Sequence, residues 1–170
     1  MTTLHIRRLL PADAGAFQAL RLAGLRQSPS AFGSSYEEEC DTALETIQNR
    51  LRERTLYGAF DGDVLAGIVG VGRDGAVKLR HKATIRAMFV AGAWRGKGVG
   101  KQLLQHALGV AAAMEGVRQV TLDVTAGNDP AIRLYQSVGF RIYGTEPGAL
   151  FADGVYHDTV LMVRMGESSD

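Results

Sequence analysis

The sequence predicts an α/β (α+β) fold, a mixed, mostly antiparallel central sheet of six to seven strands flanked by about four helices, and three patterns carry that prediction. Asp61-Gly62-Asp63 lies between the apolar runs Thr55 to Phe60 and Val64 to Gly72, a hairpin signal because glycine accepts the positive φ of a tight turn. Val120, Leu122 and Val124 alternate along Arg118 to Thr125, the period of a strand with one buried face. Leu44, Ile47 and Leu51 recur at three- and four-residue steps between about Asp41 and Arg54, the period of a surface helix with one apolar stripe.

In chain order, Leu4 to Leu10 reads as a first strand, and Pro11 suits the first turn of a helix, where its missing N–H costs nothing. That helix should end near Ser28-Pro29. Ser30 to Tyr36 is small and polar with two aromatics, as expected of a loop bordering a binding site. After the second helix and the hairpin, Ala83 to Val90 forms a further strand that runs into a glycine-rich stretch. A helix follows from Val99 to about Met114, then the alternating strand, then a helix from Asp129-Pro130 to about Val138. Phe140 to Tyr143 and Val155 to Met165 complete the sheet, with Glu146-Pro147-Gly148 and Asp153-Gly154 expected as turns between them. Residues 1–170 read as one domain, with 166–170 a frayed tail.

A chain of 170 residues buries roughly 70% of its unfolded surface, enough for a real core. Nineteen Lys plus Arg against 18 Asp plus Glu leave no charge excess that would point to nucleic acid as a partner. The single cysteine, Cys40, excludes an internal disulfide and suits a reducing compartment, so a cytoplasmic location is expected. The histidines at 5, 81, 106 and 157 lack metal-ligand spacing, and no metal is expected. No apolar run approaches the ~18 residues of a membrane span, so no membrane association is expected.

The chemistry concentrates at Arg95-Gly96-Lys97-Gly98-Val99-Gly100-Lys101. Glycines let the backbone take unusual φ values and approach an anion closely, so successive N–H groups can converge on one phosphate. The helix that begins here adds unpaired amides and a positive dipole end, and Arg95, Lys97 and Lys101 add formal charge. A pyrophosphate is the natural guest. Two commoner loops fail on spacing. A Walker loop would need glycine at 95 and Ser or Thr at 102, where Arg and Gln stand. The GxGxxG fingerprint would need glycine at 101 or 103, where Lys and Leu stand.

Arg95 to Gly100 resembles the Arg/Gln-x-x-Gly-x-Gly/Ala signature of the GNAT superfamily of N-acetyltransferases. Asn128, Ala131, Leu134, Tyr135, Gly139 and Phe140 match that superfamily's second motif, Asn-x-x-Ala-x-x-Leu-Tyr-x-x-x-Gly-Phe. The two motifs span residues 83–140. The resemblance implies acetyl-CoA as co-substrate, with backbone of Met88, Phe89 and Val90 pairing to its pantetheine arm. Arg95, Gly96, Lys97, Gly98, Val99, Gly100 and Lys101 would take the pyrophosphate, and Asn128 would bind the arm where two parallel strands splay. It further implies direct transfer of an acetyl group to a primary amine of a small molecule or peptide. Dimerisation is common in the superfamily. Gly92 departs from the pattern, since members often carry proline there.

Acyl transfer from a thioester to an amine needs a neutral amine, donors for the tetrahedral oxyanion and a proton for the departing thiolate. Tyr135 matches the superfamily's general acid and, with an ordinary pKa near ~10, stays protonated at neutral pH. The amide of Phe89 or Val90 is the expected oxyanion donor. Several members carry a glutamate where this chain has Thr84, which cannot remove a proton. The base therefore stays open among Glu38 or its neighbours Glu37 and Glu39, Asp123, His157 and Asp158, acting through ordered water. The run Glu37-Glu38-Glu39 hints at a cationic acceptor. A CoA-binding module with weak or no catalysis, and a transferase of a different acyl group, are the alternatives.

Overall fold

The computed structural model describes residues 4–166. Its seven strands form one sheet in the order β1-β2-β3-β4-β5-β7-β6. They are β1 His5–Arg8, β2 Leu56–Asp61, β3 Val64–Arg73, β4 Lys82–Val90, β5 Gln119–Thr125, β6 Arg141–Ala152 and β7 Val155–Met165. The helices are α1 Ala14–Gln27, α2 Tyr36–Glu39, α3 Leu44–Glu53, α4 Val99–Ala112 and α5 Asp129–Ser137. Every neighbouring pair is antiparallel except β4 and β5, so the sheet is mixed and mostly antiparallel, as the strand patterns predict.

Two apolar layers hold the helices to the sheet. On one face, Leu103, Leu104 and Ala107 of α4 and Tyr135 of α5 pack on Val69, Ile85, Leu122 and Met162. On the other, Phe17 and Leu20 of α1 and Ile47 and Leu51 of α3 pack on Ile68 and Phe89. Leu103 and Leu104 are fully buried, each contributing about 2–3 kcal/mol, which anchors the N-terminal turn of α4 at a fixed place beside β4. Leu44, expected on the apolar stripe of α3, is exposed because it opens the helix ahead of the turns that touch the sheet.

Two expectations need correction. Glu146-Pro147-Gly148 is not a turn: β6 runs unbroken from Arg141 to Ala152, with its register slipping between Glu146 and Leu150. β6 is the outermost strand, and there a proline that cannot donate to a ladder is tolerated at a bulge. Gly148 takes a φ of 59° and donates its N–H to Asp158 Oδ1 at 2.8 Å. Gly166 is not frayed, since its N–H donates to Arg118 O at 2.7 Å; the rest of the expected tail, 167–170, lies outside the described residues.

β4 and β5 pair over only three rungs, Lys82 with Gln119, Ala83 with Val120 and Thr84 with Thr121. Beyond Thr84 the two strands part. At that point β4 carries a bulge against β3, between Ile68 and Gly70, and Ala87 sits there at a φ of 54°. A non-glycine residue in that region costs roughly 1–2 kcal/mol, which the surrounding ladder imposes.

Candidate active site

The parting of β4 and β5 opens a cleft of about 720 Å³ between the sheet strands, the N-terminus of α4 and the start of α5. The side chains and backbone of Met88, Phe89 and Val90 form one wall, and Leu122, Asp123, Val124 and Thr125 form the other. Thr125 closes the far end by donating its hydroxyl to Ser30 O in the loop after α1. Ala31, Phe32 and Gly33 of that loop line the cleft, as its composition suggests.

The ladder decides which β4 amides face the gap. Ala91 N–H donates to Ala66 O, so by antiparallel alternation Ile68 and Phe89 form the next hydrogen-bonded pair. The Phe89 amide is thereby engaged on the β3 side, which removes it as an oxyanion donor. Val90 lies opposite Gly67 in a non-hydrogen-bonded pair, and its amide points into the gap.

The three glycines of the turn have different reasons to be glycine. Gly96 and Gly98 take φ values of 73° and 78°, and a Cβ added to either meets no heavy atom closer than 4.0 Å. Open space lies over both, and Gly98 caps α4, whose first-turn amides have no carbonyl partners. Gly100 is helical, and a Cβ there would stand 3.1 Å from Leu134 Cδ2, so its role is close packing of α4 against α5. Arg95 and Lys101 line the cleft. Arg95 Nε donates to Val90 O at 3.2 Å. Lys97 does not line it; its ammonium lies 5.1 Å from the Trp94 ring centroid.

Asn128 precedes α5 and lines the cleft without spending its side chain on a cap. Tyr135, about two helical turns further on, is 7% exposed and stands edge-on to Phe140, with centroids 6.0 Å apart. Burial pushes its phenol up to about 12. It therefore holds its proton throughout the neutral range beside a cleft that it lines.

Of the open base positions, the cleft receives Asp123 alone. Leu122 and Val124 point into the core under α4, and alternation turns Asp123 to the opposite face, together with Thr84 and Arg86. Glu38 caps α2, accepting the Ser35 N–H at 2.8 Å, and lies outside the cleft. Asp158 is engaged by Gly148, and His157 pairs with Leu150 in the outer hairpin; neither lines the cleft. Glu39 is buried, not solvated as its neighbours suggest. Arg21 donates to it at 2.6 and 2.7 Å, and Arg50 lies at 4.0 Å. The Arg21 guanidinium, more than the burial opposes, holds the Glu39 carboxyl below the usual carboxylate range.

The family model described as Acetyltransferase (GNAT) family matches residues 22–140, which include every residue lining this cleft except Arg21. The chain belongs to the GNAT acetyltransferase family. It is 32% identical over 123 residues to "Putative phosphinothricin acetyltransferase YwnH" of Bacillus subtilis, covering 71% of this chain and 74% of that protein. It is 29% identical over 121 residues to L-amino acid N-acetyltransferase AaaT of Escherichia coli, again covering 71% and 74%. Among solved structures, yncA from Salmonella typhimurium "with its cofactor Acetyl-CoA" superposes with a TM-score of 0.85 over 99% of this chain and 96% of that one, at 18% identity. GNAT membership makes the chain an acetyltransferase. Among the described residues no group of three or more His, Cys, Asp or Glu is placed to hold a metal ion, and no helix is long and apolar enough to cross a membrane.

Two features of this GNAT site were not readable in the sequence. The bulge at Ala87 has no composition signal, because alanine is an unlikely choice for positive φ. Arg21, Arg54 and Arg86 converge on the cleft from α1, the end of α3 and β4, and only the packing of three separate elements brings them together.

Proposed function

We propose that the protein transfers the acetyl group of acetyl-CoA directly to a primary amine of a small molecule or peptide. The observation that carries this reading is the junction of three features in one cleft: the parted strands, the open positive-φ glycine turn and a proton-holding tyrosine. A long, narrow thioester whose arm leads to a pyrophosphate fits that junction, because extended backbone at one end and bare amides at the other match those two parts. Acetyl-CoA supplies an activated acyl carbon and a thiolate leaving group.

The chain's own residues then divide the work. Met88 to Val90 and Asn128 offer backbone and amide groups to the pantetheine arm. Gly96 and Gly98 leave room for the pyrophosphate against the amides of Val99, Gly100 and Lys101, and Arg95 and Lys101 add charge. The Val90 amide is the donor aimed at the gap, where the carbonyl oxygen gains charge as the amine attacks. Tyr135 gives its proton to the thiolate. Asp123, on the acceptor face, receives the proton of the attacking amine through water.

The test is thiol release from acetyl-CoA across a panel of amines, with the N-acetyl product identified by mass. Release dependent on the amine is expected. Tight CoA binding with no release from any amine would instead support a binding module, and faster turnover of a longer acyl-CoA would replace acetyl as the donor group.

A further inference from the structure

The outer edge of the sheet carries apolar surface that no other element covers. β6 is the outermost strand, 12 residues long, and among the described residues no strand pairs with its free side. Ile142 is 47% exposed and Tyr143 54%, and at the tip of the β6–β7 hairpin the exposed rings of Phe151 and Tyr156 stand 4.8 Å apart. A long edge strand with exposed apolar residues is a template for a further strand unless proline, charge or an irregular register blunts it. Here Pro147 and the register slip after Glu146 blunt the distal half, and residues 141–146 stay open.

The register fixes what that edge presents. Ala126 N–H donates to Asp158 O and Gly166 N–H to Arg118 O, so by alternation the even-numbered residues of β7 spend their backbone groups on β5 and the odd-numbered ones on β6. Ile142 and Thr145 lie opposite Met162 and Val160, and their own N–H and C=O groups therefore point out of the sheet. Met162 and Val160 belong to the layer under α4 and α5. Arg141, Gly144 and Glu146 lie opposite Val163, Leu161 and Thr159 and so turn to the other face. Tyr143 is the extra residue of the bulge, so it and Gly144 together oppose Leu161. Nothing within the chain requires glycine at 144: its φ is not positive, and a Cβ would stand 3.7 Å from Leu161 Cδ1, an ordinary contact. A glycine inside a strand marks the close approach of another group.

We propose that β6 pairs with β6 of a second copy of this chain, about a two-fold axis between Tyr143 and Gly144, so that one sheet continues into the next. Arg141 and Glu146 are the charged residues of β6, and in antiparallel self-pairing only this axis sets each against the other, once on either side. The same axis sets Ile142 against Thr145, the residues whose backbone groups point outward, and both such pairs close as hydrogen-bonded pairs. It sets Tyr143 over Gly144 of the second copy, where no side chain obstructs the ring. Each facing pair shares a face of the sheet, which the bulge makes possible, since an unbroken strand would turn residues 141 and 146 to opposite faces. The hairpin tip then overhangs the end of α5 in the second copy and brings Phe151 and Tyr156 to it.

Sedimentation velocity of the full chain from about 1 to 100 μM, in ~0.1 M salt, reads the association. A concentration-dependent dimer is expected. Arg141→Glu and Glu146→Arg should each raise its dissociation constant by ~10-fold or more, because each puts two like-charge pairs across the axis, and the double variant should return it to within about threefold of the wild type. Thr145→Pro removes a donor that faces outward, so the β6–β7 pairing stays intact and the protein should sediment as a monomer with unchanged circular dichroism. A monomer throughout that range would overturn the pairing. So would a dimer that neither single reversal weakens, or reversals whose losses add in the double variant instead of cancelling. Should Thr145→Pro lose its folded spectrum, the charge exchange decides alone.

Discussion

Along β4 and the start of α4 the cleft wall is backbone: the Val90 amide, two glycines at positive φ and the first-turn amides of a helix. Across the bulge a second cavity of about 730 Å³ is walled by side chains, with Arg21 from α1, Arg54 after α3 and Arg86 from β4 standing among Glu39, Glu53 and Glu115. The difference matters because backbone recognition tolerates almost no change of shape and little choice of ligand. Side-chain recognition can be retuned one charge at a time.

The contrast can be broken most sharply at the cradle. Gly98→Val puts a β-branched residue at a φ of 78° and fills the open space above it. CoA binding should fall below detection by calorimetry, while the strain of about 1–3 kcal/mol leaves the domain folded by circular dichroism. Retained CoA affinity would mean that the phosphate is held elsewhere.

A smaller effect is expected at Tyr135, which belongs to the donor side but acts through its side chain. Tyr135→Phe keeps the ring packing on Phe140 and removes only the hydroxyl. Turnover should drop by ~10²-fold with CoA affinity nearly unchanged, read from initial rates and from calorimetry on the same preparation. Undiminished turnover would take the tyrosine out of the proton path. In the wild type its ionisation should cause no loss of activity across the neutral range, since burial pushes the phenol up to about 12.

The smallest of the three lies at the second cavity, where Glu39 holds Arg21 in place. Glu39→Gln should destabilise the fold by about 2–3 kcal/mol in urea titration, short of the loss for a fully dry pair because Arg21 keeps some contact with water. The Glu39 pKa is depressed on folding, so its contribution is complete above the ordinary glutamate range of ~4.3 and is lost as pH falls through and below it. A variant that matches the wild type's loss of stability between neutral pH and pH 4 would show that the pair does not act this way.

The residues proposed for the donor side lie close together in the sequence. Gly96, Gly98, Asn128 and Tyr135 fall in two short segments whose spacing is fixed by a strand, a turn and a helix start, and local rules govern such segments. What failed was also local in origin. Glu146-Pro147-Gly148 has turn composition, yet an outer strand absorbs it as a bulge. Glu39 stands in a run of three acids, yet it is buried against two arginines remote in the chain. The same run of letters gives Glu38 a cap, and nothing in three consecutive glutamates tells the two apart.

By itself the sequence determined the strand and helix order, the glycine turn at the start of α4 and the family resemblance, because each depends on residues within about a dozen positions of one another. The tertiary structure decided which β4 amide faces the gap, which carboxylate reaches the cleft and which arginine pairs with Glu39. Those depend on strand register, on a bulge at an alanine and on the meeting of three elements far apart in the chain, and pairing of that kind is fixed only when the core closes.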